Sequence, residues 1–222
     1  MLTGIRAVVF DAYGTLFDVT TAVAGSGIDL GGKAGPLAAL WRDKQLQYSW
    51  LRSLQGRYVP FWQVTGEALA FALETLDLPP EGPLHARLMA RYRALDAFPD
   101  APGILQRLRR AGFEIAILSN GSPEMLASVV GAAGLADLLD AVLSVDAVGT
   151  YKPDPRVYQL AVDHLAVPAE AIAFVSSNGW DAYAAAAFGM RAIWCNRAAI
   201  RSERLPGTPA FEVTSLSDIL VP

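Results

Sequence analysis

The stretch Val8-Val9-Phe10-Asp11-Ala12-Tyr13-Gly14-Thr15-Leu16 constrains this chain more than any other. Three apolar, largely β-favouring residues run into an aspartate, and a turn-capable Tyr-Gly-Thr follows at once. Such a run predicts a parallel strand buried on both faces and ending in Asp11. Ligands of open α/β sheets bind beyond the carboxyl ends of the strands. Asp11 is therefore expected at the mouth of such a site. Taken alone, it reads equally well as the first residue of a turn. The rest of the chain decides between the two.

Behind Leu16 the pattern becomes helical. Ala22–Ala34 is glycine-rich and reads as a loop. Within it, Gly27-Ile28-Asp29-Leu30-Gly31-Gly32-Lys33 matches the first seven places of a phosphate-binding P-loop. Ala34 stands where a metal-binding Ser or Thr belongs and no strand precedes it, so no nucleotide site is expected. Pro36 opens a long helix, with Leu37, Leu40, Trp41, Lys44, Tyr48 and Leu51 as its apolar stripe. Phe61–Leu78 is a second helical stretch, with Val64, Ala68, Phe71 and Ala72 on one face, ended by Pro79-Pro80. Leu84–Leu95 is a third.

Strands and helices then alternate. Ala101–Ala111 reads as a helix closed by Gly112, and Phe113–Leu118 as a strand running into Ser119-Asn120-Gly121. A helix over Pro123–Gly131 precedes a short strand at Ala141–Val145. Pro155–Leu165 is helical after Lys152-Pro153. Ala171–Val175 is a strand ending in Ser176-Ser177-Asn178. Ala182–Phe188 is an Ala-rich helix, and Met190–Cys195 the next strand. The pattern predicts an α/β doubly wound parallel sheet of Rossmann-like type with an inserted α-helical cap subdomain. The core is expected over 1–16 and 98–222, and the cap over 17–97.

Composition narrows the function. With 53% hydrophobic and 18% charged residues, the chain has material for a sizeable core. Net charge is −4 without a basic block, so no nucleic-acid partner is expected. No apolar stretch is long enough to span a bilayer. The run up to Phe10 is too short for a signal peptide and carries Arg6. The lone Cys195 excludes an internal disulfide framework and fits a reducing cytoplasm; its apolar surroundings predict a buried, inert thiol. His85 and His164 both fall in helices, away from the strand ends, which argues against a Ser-His-Asp hydrolase.

Polar residues instead gather at strand ends: Asp11 and Thr15; Ser119 and Asn120; Lys152; and Ser176, Asn178 and Asp181. Strand ends of one parallel sheet point the same way, so these groups can converge. A carboxylate beside a lysine, flanked by hydroxyls and amides, suits an Asp nucleophile held in place and kept ionised.

These motifs, in this order, resemble the haloacid dehalogenase superfamily, and within it the (S)-2-haloacid dehalogenases. The closer resemblance rests on Trp41-Arg42-Asp43-Lys44-Gln45-Leu46, Tyr58-Val59-Pro60-Phe61-Trp62, Lys152-Pro153-Asp154-Pro155-Arg156-Val157-Tyr158 and Phe174-Val175-Ser176-Ser177-Asn178-Gly179-Trp180-Asp181. It implies that Asp11 attacks carbon 2 of a small 2-haloacid and that water then hydrolyses the resulting ester. It implies that Lys152 and Thr15 hold Asp11, that Ser119, Asn120 and Tyr13 bind the substrate, and that Asp181, Ser176 and Asn178 serve the hydrolytic water. Arg42, Asn120, Gln45, Phe61 and Trp180 are implied on the halide side, with Tyr158 in support. For Gln45 and Phe61 ordinary packing is an equally good reading. The resemblance further implies a homodimer. Gly179 stands where the family more often has a larger residue, so a looser Asn178 loop is expected.

Two alternatives stay open. A phosphatase of the superfamily carries a second Asp two residues after the nucleophile and a metal-binding Asp in the last motif. Here those positions are Tyr13 and Ser177, so neither metal nor other cofactor is expected. A halide leaves without a proton and brings no phosphoryl charge, so a dehalogenase tolerates both changes. A non-catalytic binding protein that kept the motifs is the second alternative.

Overall fold

The computed structural model describes residues 1–222. Strand β1 (Ala7–Phe10) is wholly buried. After it come α1 (Thr21–Ala24), α2 (Ala34–Gln55), α3 (Phe61–Thr75) and α4 (Pro83–Tyr92). The alternating part follows as α5 (Ala101–Arg110), β2 (Glu114–Ser119), α6 (Pro123–Ala132), β3 (Ala141–Ser144), α7 (Pro155–Leu165), β4 (Ile172–Ser176), α8 (Gly179–Phe188), β5 (Arg191–Cys195) and β6 (Phe211–Val213). The six strands form one sheet in the order β3-β2-β1-β4-β5-β6, and every pairing is parallel.

This order fixes the place of Asp11. β1 is central, with Phe10 opposite Ile117 on one side and Val175 on the other. The direction of winding reverses between β1 and β4, which opens a crevice at their carboxyl ends. The Asp11 N–H still bonds to Val175 O (2.9 Å). Its side chain thus leaves the sheet at that crevice.

Helices α1–α4 enter and leave the sheet through two adjacent connections. Asp18 N–H bonds to Asp96 O, and Phe98 N–H to Leu16 O, both at 2.9 Å. One apolar cluster of 56 buried residues runs from the sheet into this helical insertion.

Several local expectations are corrected. The glycine-rich stretch is not all loop: it contains α1 and a helical turn at Gly31–Lys33 that leads into α2. α2 therefore begins at Ala34, with Pro36 in its first turn. Lys33, the lysine of the P-loop-like string, donates to Leu76 O (2.7 Å). The buried edge of α2 is Leu37, Trp41, Gln45 and Ser49. Leu51 is 45% exposed and so lies off that edge. The stripe is displaced because Gln45 and Ser49 are buried with hydrogen-bond partners, which a count of apolar residues misses. Phe71 likewise faces outward on α3. Helix α8 begins at Gly179, so Trp180 and Asp181 stand on its first turn. Strand β6 lies in a stretch without an assigned element.

Candidate active site

Asp11, Lys152 and Asp181 form the centre. Lys152 is carried by the loop between β3 and α7, and its N–H bonds to Asn120 Oδ1 (2.9 Å) at the end of β2. Its ammonium donates to Asp11 Oδ1 and Asp181 Oδ2, each at 3.0 Å. Asp11 Oδ2 accepts from Thr15 Oγ1 (3.1 Å) and from Asn178 Nδ2 (2.8 Å). Asp181 Oδ1 accepts from the Tyr158 hydroxyl (2.7 Å). Asp181 is 0% exposed and Asp11 6%, so Asp11 is the carboxylate that faces the crevice.

The turn after β4 is tied to the same centre. Ser177 N–H donates to Thr15 Oγ1 (2.8 Å), and Asn178 N–H to Ser176 Oγ (3.1 Å). Asn178 Nδ2 also reaches Tyr13 O (3.2 Å). These bonds hold the loop that Gly179 was expected to loosen. A Cβ on Gly179 would meet Glu203 Cγ and Oε1 at 3.1 Å, so the Glu203 side chain fills the space of a larger residue. Ser119 Oγ accepts from Gly121 N–H (3.1 Å) at the end of β2.

Burial and charge set the protonation tendencies. Burial would lower the Lys152 pKa, but the charges of Asp11 and Asp181 outweigh it and leave it raised. Burial raises the Asp181 pKa, and Asp11 adds to the rise against the opposing pull of Lys152 and Tyr158. The Tyr13 phenol is pushed well above its ordinary value by burial, with Tyr92 and Asp11 acting the same way. It is a neutral hydroxyl, and its oxygen is buried without a hydrogen-bond partner. Burial also raises the pKa of Cys195, which is buried and unpaired.

One cation reaches this centre from the helical insertion. Arg42 Nη2 donates to Tyr13 O and Asn178 Oδ1, each at 3.2 Å. Its Nη1 donates to Gln45 Oε1 (2.8 Å). A cavity of about 470 Å³ between α1 and α2 is lined by Arg42, Gln45 and Tyr92. Tyr13 stacks on Tyr92 (5.5 Å between ring centres) and tilts against Phe61 (6.1 Å). Phe61 in turn contacts the Tyr151 ring (5.7 Å).

The structure thus gathers Asp11, Thr15, Lys152, Asn178, Asp181, Tyr158 and Arg42 into one hydrogen-bonded set. Asn120 and Ser176 hold its backbone, and Tyr13 and Phe61 form an aromatic wall. Trp180 sits apart, edge-on to Trp50 (5.4 Å), in a groove with Tyr151, Tyr158 and Pro153. Gln45 is turned to Arg42, not to Asp11. Thr65 and Tyr92, which bond to Gln45, were not singled out in the sequence. Thr65 left a trace there as a polar residue on the apolar face of its helix; Tyr92 left none.

A divalent cation of the kind used by phosphatases does not fit this donor set. Tyr13 and Ser177 replace two carboxylates, and the Lys152 ammonium already lies between Asp11 and Asp181. No three His, Cys, Asp or Glu side chains are grouped to hold a metal.

A family model described as haloacid dehalogenase-like hydrolase matches residues 5–189. The chain belongs to this family. The (S)-2-haloacid dehalogenase 1 of Pseudomonas sp. (strain CBS-3) is 50% identical over 97% of this chain and 95% of the relative. The (S)-2-haloacid dehalogenase 4A of Burkholderia cepacia is 46% identical over 99% and 95%. Among solved structures, the L-2-haloacid dehalogenase of Xanthobacter autotrophicus with chloropropionic acid covalently bound superposes with a TM-score of 0.89. It is 40% identical and covers 96% of each chain. The six-stranded parallel sheet accords with this membership.

Proposed function

We propose that the chain hydrolyses short-chain (S)-2-haloacids to (R)-2-hydroxy acids and halide through an ester on Asp11. The observation that carries the reading is the seating of Arg42 from the helical insertion against Asn178, which itself holds Asp11. A nucleophilic carboxylate thus has a cation nearby to receive a departing anion. The covalently bound chloropropionic acid of the Xanthobacter autotrophicus relative supports the ester.

The chemistry follows from the bonds. Asp11 Oδ1 holds one hydrogen bond and Oδ2 two, so Oδ1 keeps the freer lone pair and attacks carbon 2. The carbon–halogen bond breaks on the opposite face, its electron pair leaves with the halide, and configuration inverts. Arg42 stabilises that growing negative charge more in the transition state than in the ground state. Ser119, the Asn120 N–H and Tyr13 bind the substrate, with Asn120 and Phe61 toward the halide; Trp180, turned to Trp50, is left out of that role. Water then attacks the Asp11 carbonyl carbon. Asp181, helped by Ser176 and Asn178, takes its proton; burial raises its pKa, which suits it to accept one. The tetrahedral intermediate collapses as the bond to the substrate oxygen breaks, and Asp181 returns its proton to that oxygen so that the hydroxy acid leaves. The Asp11 carboxyl releases its remaining proton to solvent and is restored as the carboxylate. Residues 1–16 and 98–222 act as the catalytic core and 17–97 as the cap that brings Arg42. We extend the reading to a homodimer in the cytoplasm, supported by the resemblance and the lone cysteine; sedimentation as a monomer at micromolar concentration would remove the dimer.

The test is halide release from each enantiomer of a 2-chloroacid, with and without a chelator, beside a phosphate ester. The reading expects halide and (R)-2-hydroxy acid from the (S) substrate alone, at a rate the chelator leaves unchanged. Phosphate release that chelation abolishes and Mg²⁺ restores would overturn it.

A further inference from the structure

We propose that Gln45, Thr65 and Tyr92 form a buried positioning relay that aims the Arg42 guanidinium at the Asp11 crevice. The proposal rests on the reading of Arg42 as the cation that receives the halide. It gives Gln45 a role through Arg42 in place of contact with the halide itself.

The relay follows from counting protons. Thr65 has one hydroxyl proton, and Thr65 Oγ1 donates it to Phe61 O (2.7 Å) within α3. Toward Gln45 the Thr65 oxygen can therefore only accept. Gln45 must turn its NH₂ end to it, and Nε2 does lie 2.7 Å from Thr65 Oγ1. The second Nε2 proton points to the Tyr92 hydroxyl (3.1 Å), which in turn lies 3.3 Å from Gln45 Oε1 and can donate to one of its lone pairs. The amide oxygen is then the end left for Arg42, and it accepts from Nη1 at 2.8 Å. Reversing the amide would set an NH₂ against the guanidinium and a carbonyl against the Thr65 oxygen. Thr65 thus dictates the orientation of Gln45, and Gln45 dictates that of Arg42.

The surroundings hold each member. Arg42 and Gln45 are three residues apart on α2 and so share a face. Trp41 Nε1 donates to Thr65 O (2.9 Å), which ties α2 to α3 at this level. Gln45 is 1% exposed with both its Nε2 protons committed, so it has no donor to offer a halide. Arg42 makes three hydrogen bonds to protein from five N–H groups, which leaves two for an incoming anion.

The test is a double-mutant cycle read by first-turnover halide release. Gln45→Leu should slow chloride release by about 10- to 100-fold, as loss of alignment at a reacting centre does. Bromide, the better leaving group, should lose less. Hydrolysis of the ester, measured after the halide burst, should stay within about twofold, because Arg42 has no part in that step. In an Arg42→Ala background Gln45→Leu should add less than about twofold. Thr65→Val keeps the shape but removes the acceptor, and should follow Gln45→Leu; Thr65→Ser should recover most of the rate. The Thr65 pair decides the matter if Gln45→Leu does not fold. Parent-like chloride release in the variants, equal losses for chloride and bromide, or an undiminished effect in the Arg42→Ala background would each overturn the relay alone. Absence of halide release from the parent would overturn the functional reading and the relay with it.

Discussion

Asp11 and Asp181 share one ammonium yet differ in what else they hold. Asp181 spends both oxygens on Lys152 and Tyr158 and is wholly buried. Asp11 keeps contact with the crevice, and Arg42 stands across Asn178 from it. Arg42→Ala should therefore slow ester formation by about 10²- to 10³-fold, with a smaller change in substrate binding. Arg42→Lys should recover little, because an ammonium lacks the planar fork that meets Gln45, Tyr13 O and Asn178 together. Rapid-mixing halide release at the parent rate in the Ala variant would contradict this. Tyr158 governs the other carboxylate. Its hydrogen bond lowers the Asp181 pKa, so Tyr158→Phe should raise it further. A base works only when deprotonated, so the acid limb of ester hydrolysis should move to higher pH. An unmoved limb in the Phe variant would exclude Asp181 as the base.

At the scale of elements, legibility followed the strength of the local pattern. The buried strands read clearly because apolar runs bounded by Gly, Ser and Asn have few other uses. Polar residues at their carboxyl ends read as a site because a parallel sheet points them one way. Lys152 lies well beyond the end of β3, and only the motif order marked it. Arg42 could not be told from a solvated helix face without the family string. Thr65 and Tyr92 stayed hidden, and Gln45 was implied only on the halide side, because their value lies in mutual hydrogen bonds across three helices, which no periodicity encodes. Strand β6 stayed hidden because three residues carry no period.

The same blindness covers Asp100, which joins α5 to the end of the chain. Its carboxylate accepts from Arg197 Nη1 and Nη2 (each 2.9 Å), Ser215 Oγ (2.7 Å) and Leu216 N–H (2.9 Å). Burial opposes ionisation, but these donors outweigh it and leave the pKa below the ordinary 3.8. The stabilisation is therefore present above pH 3.8 and lost as pH falls through the lowered value. Asp100→Asn should cost about 2 kcal/mol near neutral pH, as loss of charge-assisted bonds does. Melting curves should show the gap to the parent closing in acid. A gap that is constant with pH would contradict the assignment.

For the whole molecule, the sheet and the helical insertion share one apolar core. The apolar cluster that includes Val9 and Phe174 of the sheet also includes Trp41, Phe61 and Leu69 of the insertion. Polar clasps reinforce the seam. Ser53 Oγ lies 3.0 Å from Tyr151 N–H and 3.2 Å from Thr150 Oγ1, on the loop that carries Lys152. The Tyr151 hydroxyl donates to Val59 O (2.5 Å), and Tyr58 donates to Asp146. Sheet and insertion should therefore unfold together, in a single calorimetric transition with equal calorimetric and van't Hoff enthalpies. Two resolved transitions would show that the cap holds itself up.

The central claim is that Asp11 becomes the ester, and oxygen labelling tests it most directly. If water attacks the Asp11 carbonyl, the oxygen entering the product comes from the protein on the first turnover. A single turnover in ¹⁸O water with enzyme in excess should then give unlabelled hydroxy acid and a labelled Asp11 peptide by mass spectrometry. Repeated turnovers should carry the label into product. Direct attack by a water that Asp181 deprotonates would put ¹⁸O in the product at once and leave Asp11 unlabelled, and that result would contradict the account.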